Sequence, residues 1–421
     1  MKYARCGRLT LLIVGLFLAL QSTGLDVLPS SNKVPNSHGS PLLIVPGSAG
    51  NQLDAKIDKP SRVHWMCYKK TDYFFTLWID VNMFMPLGLD CWIDNVRIVY
   101  NRTTRKTSNS PGVTVRVPGF GKTHTVEFLD NIKLSGYFHN MFKHLVNIGY
   151  VRNENIRAAP YDFRIAPNEQ EEYFARLKKL VEDMYHQYQQ PIYLLGHSLG
   201  SKFLLYFLYQ QTQSWKDHYI KGFISLGAPW GGASKLFRVL ASGDNFGIPL
   251  VPNIKIREQQ RMTTTNPWML PDEDVWPADH TFISTPSFNY THQDYQRFFK
   301  DIDFEDGWFM WKDTRNLTAG LPPPGVEIYC FYGVGLQTPV TFIYDDQFPN
   351  ADPIDYVYGD GDDTADSRSM GLCKHWIGKQ LQPVHVKEFM NMPHSEIVSN
   401  IKVINVIQSI LEGSYREEDS T

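Results

Sequence analysis

The sequence predicts an α/β protein with a mostly parallel sheet, on the basis of three observations. Helical patterns, such as that of residues 168–188, alternate with short apolar strands, which is the order that a parallel sheet requires. One apolar strand, 192–195, leads through a Gly-x-Ser-x-Gly pattern directly into a helical pattern at 201–208. The chain has 421 residues, 43% of them hydrophobic, so it can form one large domain with insertions.

The Gly-x-Ser-x-Gly pattern places Ser198 at the turn between this strand and this helix. A strand that turns abruptly into a helix holds its middle residue in a strained conformation, and the flanking glycines allow close approach of the chains. The helix N-terminus behind the hydroxyl favours negative charge that develops there. Because both the strand and the helix are present, we interpret Ser198 as a nucleophile rather than an ordinary turn residue.

A serine nucleophile needs a base and an acid that orients the base, and after such a turn they follow in the order Ser, Asp or Glu, His. A strand at 327–333 is followed by what we expect to be a long loop, ending in the acidic turn 358–364. Asp362 is the preferred acid, with Asp360 and Asp363 as close alternatives. The turn has too few ligands for a calcium loop, although a solvated acidic turn would have the same composition.

Two histidines near the end of the chain are candidates for the base. His385 alternates with valines in a strand at 383–389, so we expect it to face solvent. His394 lies in the loop before a helix at 397–411, where the base belongs. Its position after both the serine and the acid supports the choice of His394.

An oxyanion hole would use two backbone N–H groups. One belongs to Leu199, the residue after the nucleophile. The other is expected in a loop after an early strand, and the glycine-rich loop 46–51 after the strand 41–45 fits this position. We choose the amide of Ser48 as the donor, and a plain glycine-rich turn is the alternative.

The first residues are typical of a secretory signal peptide, with basic residues before an apolar run at 9–20 that is too short to span a membrane. We assign 1–24 as signal peptide, 25–415 as the main domain and 416–421 as a polar tail, and we expect a secreted protein without a transmembrane span. The net charge of −3 disfavours nucleic acid as a partner. The predicted chemistry requires no metal and no cofactor.

Cysteine usage agrees with secretion. The first of the five cysteines lies in the signal segment, and the remaining four allow three connectivities. We prefer the pairing that is local in sequence, Cys67–Cys91 and Cys330–Cys373. Three Asn-x-Thr tripeptides predict N-glycosylation at Asn101, Asn289 and Asn316.

Two stretches do not fit the core and are interpreted as insertions. The first, 53–91, combines apolar and aromatic residues with Lys69 and Lys70, a composition that suits a lipid interface and equally a buried subdomain. The second, 231–324, is large enough for a cap over the site, and within it 242–266 is typical of a mobile lid or a surface loop. The residues of the first stretch that we assign to the interface include Phe74, Phe75 and Leu77.

Six segments together resemble the lecithin–cholesterol acyltransferase family. They are Val45-Pro46-Gly47, the segment Trp65-Met66-Cys67-Tyr68, and residues 158–162, 196–200, 225–232 and 361–364. The resemblance runs from about Pro41 to Tyr415. It implies an α/β-hydrolase core with a membrane-binding insertion and a cap with a lid.

The resemblance also implies roles for particular residues. It supports Ser198, Asp362 and His394 as the catalytic triad, with the amides of Ser48 and Leu199 as oxyanion donors. It further implies that Trp78 is an interfacial tryptophan of the membrane-binding insertion.

The reaction that the resemblance implies is transfer of an acyl chain from phosphatidylcholine, through a serine acyl-enzyme, to cholesterol. The products are cholesteryl ester and lysophosphatidylcholine, and the reaction takes place on high-density lipoprotein in plasma, stimulated by its main apolipoprotein. The alternative is a luminal or lysosomal phospholipase A or transacylase, which would use the same triad. A lipid-binding protein without activity is disfavoured, because binding alone does not require an intact triad.

Overall fold

The computed structural model of the protein describes residues 39–80, 88–247 and 251–416. The predicted signal peptide lies outside the described residues, as do 81–87 of the first insertion, 248–250 of the predicted lid and 417–421 of the tail. No helix in the described ranges is both long enough and apolar enough to cross a membrane.

Strands and helices alternate along the described chain. The strands are β1 (Leu42–Val45), β2 (Leu53–Ile57), β3 (Phe75–Trp78), β4 (Ile98–Asn101), β5 (Lys106–Asn109), β6 (Val113–Arg116), β7 (Ile156–Ala158), β8 (Ile192–His197), β9 (Ile220–Leu226), β10 (Ile283–Ser284), β11 (Asn289–Tyr290), β12 (Ile328–Val334), β13 (Leu336–Ile343), β14 (Asp355–Gly361) and β15 (Val384–Met390). The α-helices are α1 (Gly88–Val96), α2 (His124–Glu127), α3 (His139–Asn147), α4 (Glu171–Tyr188), α5 (Leu199–Tyr209), α6 (Gln213–Tyr219), α7 (Lys235–Ala241), α8 (Asn253–Met262), α9 (Thr265–Trp268), α10 (Tyr295–Asp301), α11 (Glu305–Thr314), α12 (Ser367–Met370) and α13 (Ile401–Leu411).

Six strands form the central sheet in the order β15-β12-β9-β8-β1-β7, and every neighbouring pair is parallel. Side chains of a strand alternate between its two faces. Accordingly, Leu42 and Ile44 pack into one apolar cluster with α3 and α13, while Leu43 and Val45 pack into another with α4 and α5. Both faces of the sheet are therefore buried, as an all-parallel sheet needs. The predicted α/β class with a mostly parallel sheet is confirmed.

The common strand direction brings the carboxyl ends of the strands to one edge of the sheet. The loop after β1, the turn after β8 and the loop after β15 meet at this edge. These segments carry three of the predicted functional residues, which are Ser48, Ser198 and His394. Position in the fold thus brings together residues that lie far apart in the sequence.

Asp362 reaches the same edge in a way that differs from our prediction. We expected a long loop after β12, but β13 and β14 form an antiparallel hairpin, and Asp362 directly follows β14. Burial alternates at the start of β13, where Thr338 and Val340 are buried. Pro339 lies between them and interrupts the strand signal in the sequence, because proline is disfavoured within sheets.

The first insertion contributes to a separate antiparallel sheet with the order β3-β2-β6. Because β2 is the central strand and needs a partner on each side, this sheet extends to Arg116, beyond the 53–91 segment that we predicted. The Cys67–Cys91 disulfide lies in this region, and the Cys330–Cys373 disulfide ties β12 to the segment before β15. The predicted cysteine pairing is confirmed.

Two of the four residues that we assigned to a lipid interface are buried. Leu77 is 1% exposed and Trp78 is 7% exposed, because both side chains pack into the same apolar cluster, where the Trp78 and Trp92 rings meet. The prediction that this pair faces lipid is therefore wrong for this structure. The other two, Phe74 and Phe75, are half-buried.

The predicted cap, 231–324, leaves the central sheet after β9 and returns before β12. It packs around an apolar cluster of its own, and because its strand β10 pairs with β13, the cap region also includes residues beyond 324. The predicted lid contains helix α8. Gln260 of α8 accepts from the backbone N–H of Asp244 at 3.0 Å and donates to its carbonyl at 2.6 Å, which joins the two parts of this segment.

A buried arginine connects the first insertion to the core. Arg164 is fully buried, and its guanidinium donates to the Asp162 carboxylate at 2.6 and 2.8 Å, to the Val96 carbonyl at 2.7 Å and to Asn109 Oδ1 at 2.9 Å. Val96 ends α1 and Asn109 ends β5. One side chain therefore fixes the ends of two elements against the loop after β7.

Replacing this arginine should destabilise the fold. We expect Arg164→Leu to lower the free energy of unfolding by about 3–5 kcal/mol, because it leaves the largely buried Asp162 carboxylate without its cation. The measurement is urea-induced unfolding followed by circular dichroism. The control is Lys179→Gln, which removes an exposed pair with Asp183 at 3.0 Å and should cost less than about 1 kcal/mol. Equal losses in the two variants would contradict this account of Arg164.

Candidate active site

Ser198 stands at the turn between β8 and α5, as its sequence pattern predicts. Its φ of 52° and ψ of −126° place a non-glycine residue in a strained region that costs about 1–3 kcal/mol. The two flanking glycines, Gly196 and Gly200, stand where the neighbouring chain leaves no space for a side chain. A Cβ on Gly196 would lie 2.7 Å from Ser201 Cα, and a Cβ on Gly200 would lie 2.2 Å from the Pro46 carbonyl oxygen. Close packing therefore holds Ser198 in this conformation.

The three predicted triad residues lie within hydrogen-bond distance of one another. His394 Nε2 is 2.9 Å from Ser198 Oγ, and His394 Nδ1 is 2.5 Å from Asp362 Oδ2. The Asp362 side chain is fully buried, and that of His394 is 12% exposed. When Nδ1–H donates to the carboxylate, the lone pair of Nε2 is directed at the serine hydroxyl. This is the arrangement of a general base and a nucleophile.

The loop that carries Asp362 fixes the orientation of its carboxylate. Oδ1 accepts from the backbone N–H groups of Thr364 at 3.1 Å and Ala365 at 2.7 Å, which leaves Oδ2 for the imidazole. The backbone N–H of His394 also donates to the Asp362 carbonyl at 2.8 Å. Acid and base are therefore joined through main chain as well as side chain.

The competing candidates from the sequence have other hydrogen-bond partners. Asp360 accepts from a backbone N–H at 2.7 Å, and Asp363 accepts from a neighbouring hydroxyl at 2.8 Å. The prediction that His385 faces solvent is wrong. Its ring stacks on Tyr329 with centroids 4.6 Å apart, and its Nε2 lies 2.9 Å from Glu327 Oε1, because an edge strand can still pack its side chains on the neighbouring strand.

The loop 46–51 lies directly against the serine turn. A Cβ on Gly47 would lie 3.1 Å from Ser198 Cβ, so loop and nucleophile are in contact. Leu199 is the first residue of α5, and an N–H at this position has no acceptor within its own helix. Ser48 follows Gly47 on the exposed side of the loop. The assignment of the Ser48 and Leu199 amides to an oxyanion hole stays a prediction.

Trp78 supports this loop from the side of the first insertion. Its indole N–H donates to the Ala49 carbonyl at 2.7 Å, and Ala49 adopts a φ of 57°. The ring is buried against Trp92 and Phe163. Trp78 therefore joins the insertion to the catalytic edge, a position that its sequence context did not indicate.

Two residues that sequence analysis missed connect the 46–51 loop to the base. The Tyr137 hydroxyl accepts from the Gly47 N–H at 3.1 Å and donates to Nδ1 of His197. The Nε2–H of His197 donates to the His394 carbonyl at 3.0 Å. Burial lowers the pKa of His197 to about 3, so the ring is neutral and its Nδ1 is free to accept. A continuous hydrogen-bond chain thus runs from Gly47 to His394.

His197 carried a sequence signal, since an imidazole in the apolar run beside the nucleophile needs partners once it is buried. Tyr137 carried no such signal, because its hydrogen-bond partner, His197, lies 60 residues further along the chain. A second buried polar residue, Lys202, lies one turn after Ser198 in α5. Its ammonium is 4.8 Å from the centroid of the Trp268 ring, and burial lowers its pKa to about 8.

Comparison with known proteins gives a consistent result. The family model described as "Lecithin:cholesterol acyltransferase" matches residues 73–405. "Phosphatidylcholine-sterol acyltransferase" of Gallus gallus is 60% identical over 370 residues, covering 88% of each chain, and that of Homo sapiens is 58% identical over 91% of this chain and 87% of its own. "Lysosomal phospholipase A and acyltransferase" of Rattus norvegicus is 48% identical over 90% of this chain and 92% of its own.

The hydrogen-bond chain predicts an effect of Tyr137 on turnover. We expect Tyr137→Phe to lower kcat about tenfold to a hundredfold with little change in KM, because the 46–51 loop and the base lose a common partner while the substrate contacts remain. Steady-state kinetics on a soluble ester measures both constants. The control, Tyr150→Phe, removes a bond of 3.0 Å to the Ser40 carbonyl at the opposite edge of the sheet. A Tyr137→Phe kcat equal to that of the control would contradict this role.

The pairing of His394 with Asp362 predicts a pH dependence. Burial alone lowers the pKa of the His394 imidazole, but the Asp362 carboxylate more than offsets this, so the pKa lies above its ordinary value. Because the neutral imidazole is the base, kcat/KM should rise with pH through this pKa. In Asp362→Asn the rise should move to lower pH, and the plateau should fall about 10³–10⁴-fold. An unshifted pH profile in the variant would contradict the assignment.

Proposed function

Since the chain belongs to the lecithin:cholesterol acyltransferase family, we propose that it moves an acyl chain from phosphatidylcholine to cholesterol. The observation that carries the proposal is the contact of His394 with both Ser198 and Asp362 at the carboxyl edge of the sheet. This geometry supports an acyl-enzyme on Ser198. The products are lysophosphatidylcholine and cholesteryl ester.

The first half of the reaction forms the acyl-enzyme. Ser198 Oγ attacks the ester carbonyl carbon of the phospholipid while His394 Nε2 takes the hydroxyl proton. Asp362 stabilises the imidazolium that results. Backbone N–H groups of Ser48 and Leu199 stabilise the oxyanion, and the proton on Nε2 then passes to the leaving oxygen of lysophosphatidylcholine.

The second half repeats these steps with a sterol hydroxyl as the nucleophile. His394 takes the proton of this hydroxyl, the sterol oxygen attacks the acyl-enzyme, and Ser198 Oγ is released with the proton restored. Water in place of the sterol gives a free fatty acid, which is a phospholipase side activity. A cap that keeps the site dry favours the sterol.

The alternative, a luminal or lysosomal phospholipase A, has weaker support. Relatives named for the sterol reaction are 55–60% identical to this chain, and the lysosomal relatives are 47–48% identical. The triad does not distinguish the two reactions, because both begin with the same acyl-enzyme. The difference in identity favours the sterol acyltransferase.

The first insertion contacts the lipid surface. Four of its exposed large apolar side chains lie between residues 65 and 73 and form what we term the aromatic surface, consisting of Trp65, Met66, Tyr68 and Tyr73. Arg62, Lys69 and Lys70 lie within the same stretch. Exposed aromatic rings with nearby bases suit the headgroup region of a lipid layer. The aromatic surface takes the role that we had assigned to Leu77 and Trp78.

We place the reaction outside the cell, on high-density lipoprotein in plasma, with the main apolipoprotein of that particle as activator. The apolar segment at 9–20 and the two disulfides support an oxidising secretory route. The asparagines of the three predicted glycosylation sites, Asn101, Asn289 and Asn316, are exposed. The particle and its activator follow from the family resemblance.

The test uses discs of phosphatidylcholine, cholesterol and apolipoprotein near pH 7.4, with label in the acyl chain. We expect the label to appear mainly in cholesteryl ester, and to fall about tenfold or more without the apolipoprotein. Ser198→Ala should abolish transfer, while Ser201→Ala should retain it, because the buried Ser201 hydroxyl has no hydrogen-bond partner among the described residues. Label mainly in free fatty acid, increasing toward acidic pH, would contradict the proposal and favour the lysosomal reaction.

A further inference from the structure

A lysine is buried near the start of the helix that carries the nucleophile. Lys202 in α5 is 3% exposed, although lysine is one of the residues that are seldom fully buried. Its ammonium lies 4.8 Å from the centroid of the Trp268 ring, and Trp268 is 4% exposed. An ammonium over the face of a tryptophan is attracted to the ring, most strongly when water is excluded. The charge is therefore enclosed between α5 and helix α9 of the cap.

The cap segment that carries this ring is fixed to the core at both ends. At one end, the Thr265 hydroxyl donates to the Phe163 carbonyl at 2.8 Å. At the other, the backbone N–H of Asp272 donates to the Gly231 carbonyl at 2.9 Å. Trp268 lies between these two anchors, so the surface that the ammonium meets has a set position.

The position of Lys202 in α5 relates its charge to the nucleophile. Lys202 follows Ser198 by four residues and Leu199 by three, and helix residues at these spacings lie on the same face. Side chains of a helix are tilted toward its N-terminus, so the stem of Lys202 leads back toward Ser198. The oxyanion of the ester carbonyl develops at this end of the helix. Positive charge thus lies on the face and toward the end of α5 where negative charge forms.

This placement is unfavourable for folding in two ways. Burial of an ammonium costs free energy, and it lowers the pKa of Lys202 to about 8. The N-terminus of a helix is also its positive end, where a cation is disfavoured. A methionine would fill a similar space without either cost. A charge that is retained at such a position is typical of a functional group.

The charged groups around the Lys202 ammonium leave one partner for it. Asp272 acts on the ammonium, and its attraction favours the charged form. The neighbouring carboxylates of Glu273 and Asp274 are exposed, as are the charged residues at the start of α4. Strand β1, beneath α5, carries no charged residue, and the imidazole of His197 in β8 lies on the other side of the sheet. Asp272 is therefore the group that supports the charge of Lys202.

We propose that the Lys202 ammonium supplies positive charge that stabilises the oxyanion beside Ser198, and that Trp268 and Asp272 of the cap hold it in position. The inference rests on the proposed function, in which Ser198 is acylated. A charge in an apolar surrounding from which water is excluded acts over a longer distance than in water. When Lys202 loses its proton, this stabilisation is lost, whereas the contacts of the triad remain.

The test measures kcat and KM on a soluble short-chain ester as a function of pH, with Lys202→Met beside wild type. Wild type should lose about fivefold in kcat as the pH rises through about 8, because the ammonium becomes neutral. Lys202→Met should have the lower kcat throughout, with no decrease near this pH and with KM unchanged. The matched control is Lys216→Met, which removes a buried lysine bonded to the Pro324 carbonyl at 2.9 Å and should keep the wild-type profile.

A second variant tests the partner in the cap. Asp272→Asn removes the attraction that favours the charged form, so the pKa of Lys202 decreases further. The loss of kcat should therefore occur at lower pH than in wild type. If Lys202→Met does not fold, Asp272→Asn still tests the inference.

Stability distinguishes this effect from unfolding at alkaline pH. The pKa of Lys202 is lower in the folded protein than its ordinary value of 10.5, so the unfolded chain binds more protons between about pH 8 and this value. This group therefore makes the free energy of unfolding increase with pH over that range. Relative to Lys202→Met, wild type should gain stability while it loses kcat.

The outcomes separate this inference from the proposed function. If wild type, Lys202→Met and Asp272→Asn have the same pH profile while Ser198→Ala is inactive, the inference is overturned and the proposed function stands. If Ser198→Ala still turns over the ester, the proposed function fails, and the inference fails with it.

Discussion

The hydrogen-bond chain from Gly47 through Tyr137 and His197 to the His394 carbonyl is the constraint on which the site depends. It joins the loop after β1 to the loop after β15 across the serine turn. Without it, the loop after β1 and the loop after β15 would lose their hydrogen-bonded connection across the serine turn. A neutral imidazole is essential to the chain, since an imidazolium has no acceptor for the Tyr137 hydroxyl. Burial provides this neutrality, because it lowers the pKa of His197 to about 3.

A second constraint is space. Gly200 lies so close to the end of β1 that no side chain fits there, and this contact brings the 46–51 loop against Ser198. The parallel sheet brings these loops to one edge, and Gly200 allows α5 to lie close to the end of β1. Trp78 of the first insertion donates a hydrogen bond to the 46–51 loop. The first insertion is therefore connected to the edge of the sheet that carries the triad. An enzyme that takes its substrate from a surface requires such a connection between binding and chemistry.

The sequence predicted the fold class and the three triad residues, because each rests on local patterns. Ser198 has a strand before it and a helix after it, and His394 precedes a helix. Contacts between distant segments were beyond such patterns. Tyr137 is one example, since its role depends on its hydrogen bond to the distant His197. The β13–β14 hairpin is another, since its strands are defined by their pairing with each other. Trp78 is the clearest error, because an aromatic residue in an amphipathic stretch has the same sequence signal whether it faces lipid or core.

In the proposed reaction, Ser198 carries the acyl chain between donor and acceptor. The most direct measurement incubates the enzyme with acyl-labelled phosphatidylcholine without sterol, quenches with acid within the first turnover, and maps the label by peptide mass spectrometry. We expect the label on the peptide that contains Ser198, and its loss on a chase with cholesterol as cholesteryl ester forms. Release of lysophosphatidylcholine with no label on this peptide would contradict this expectation.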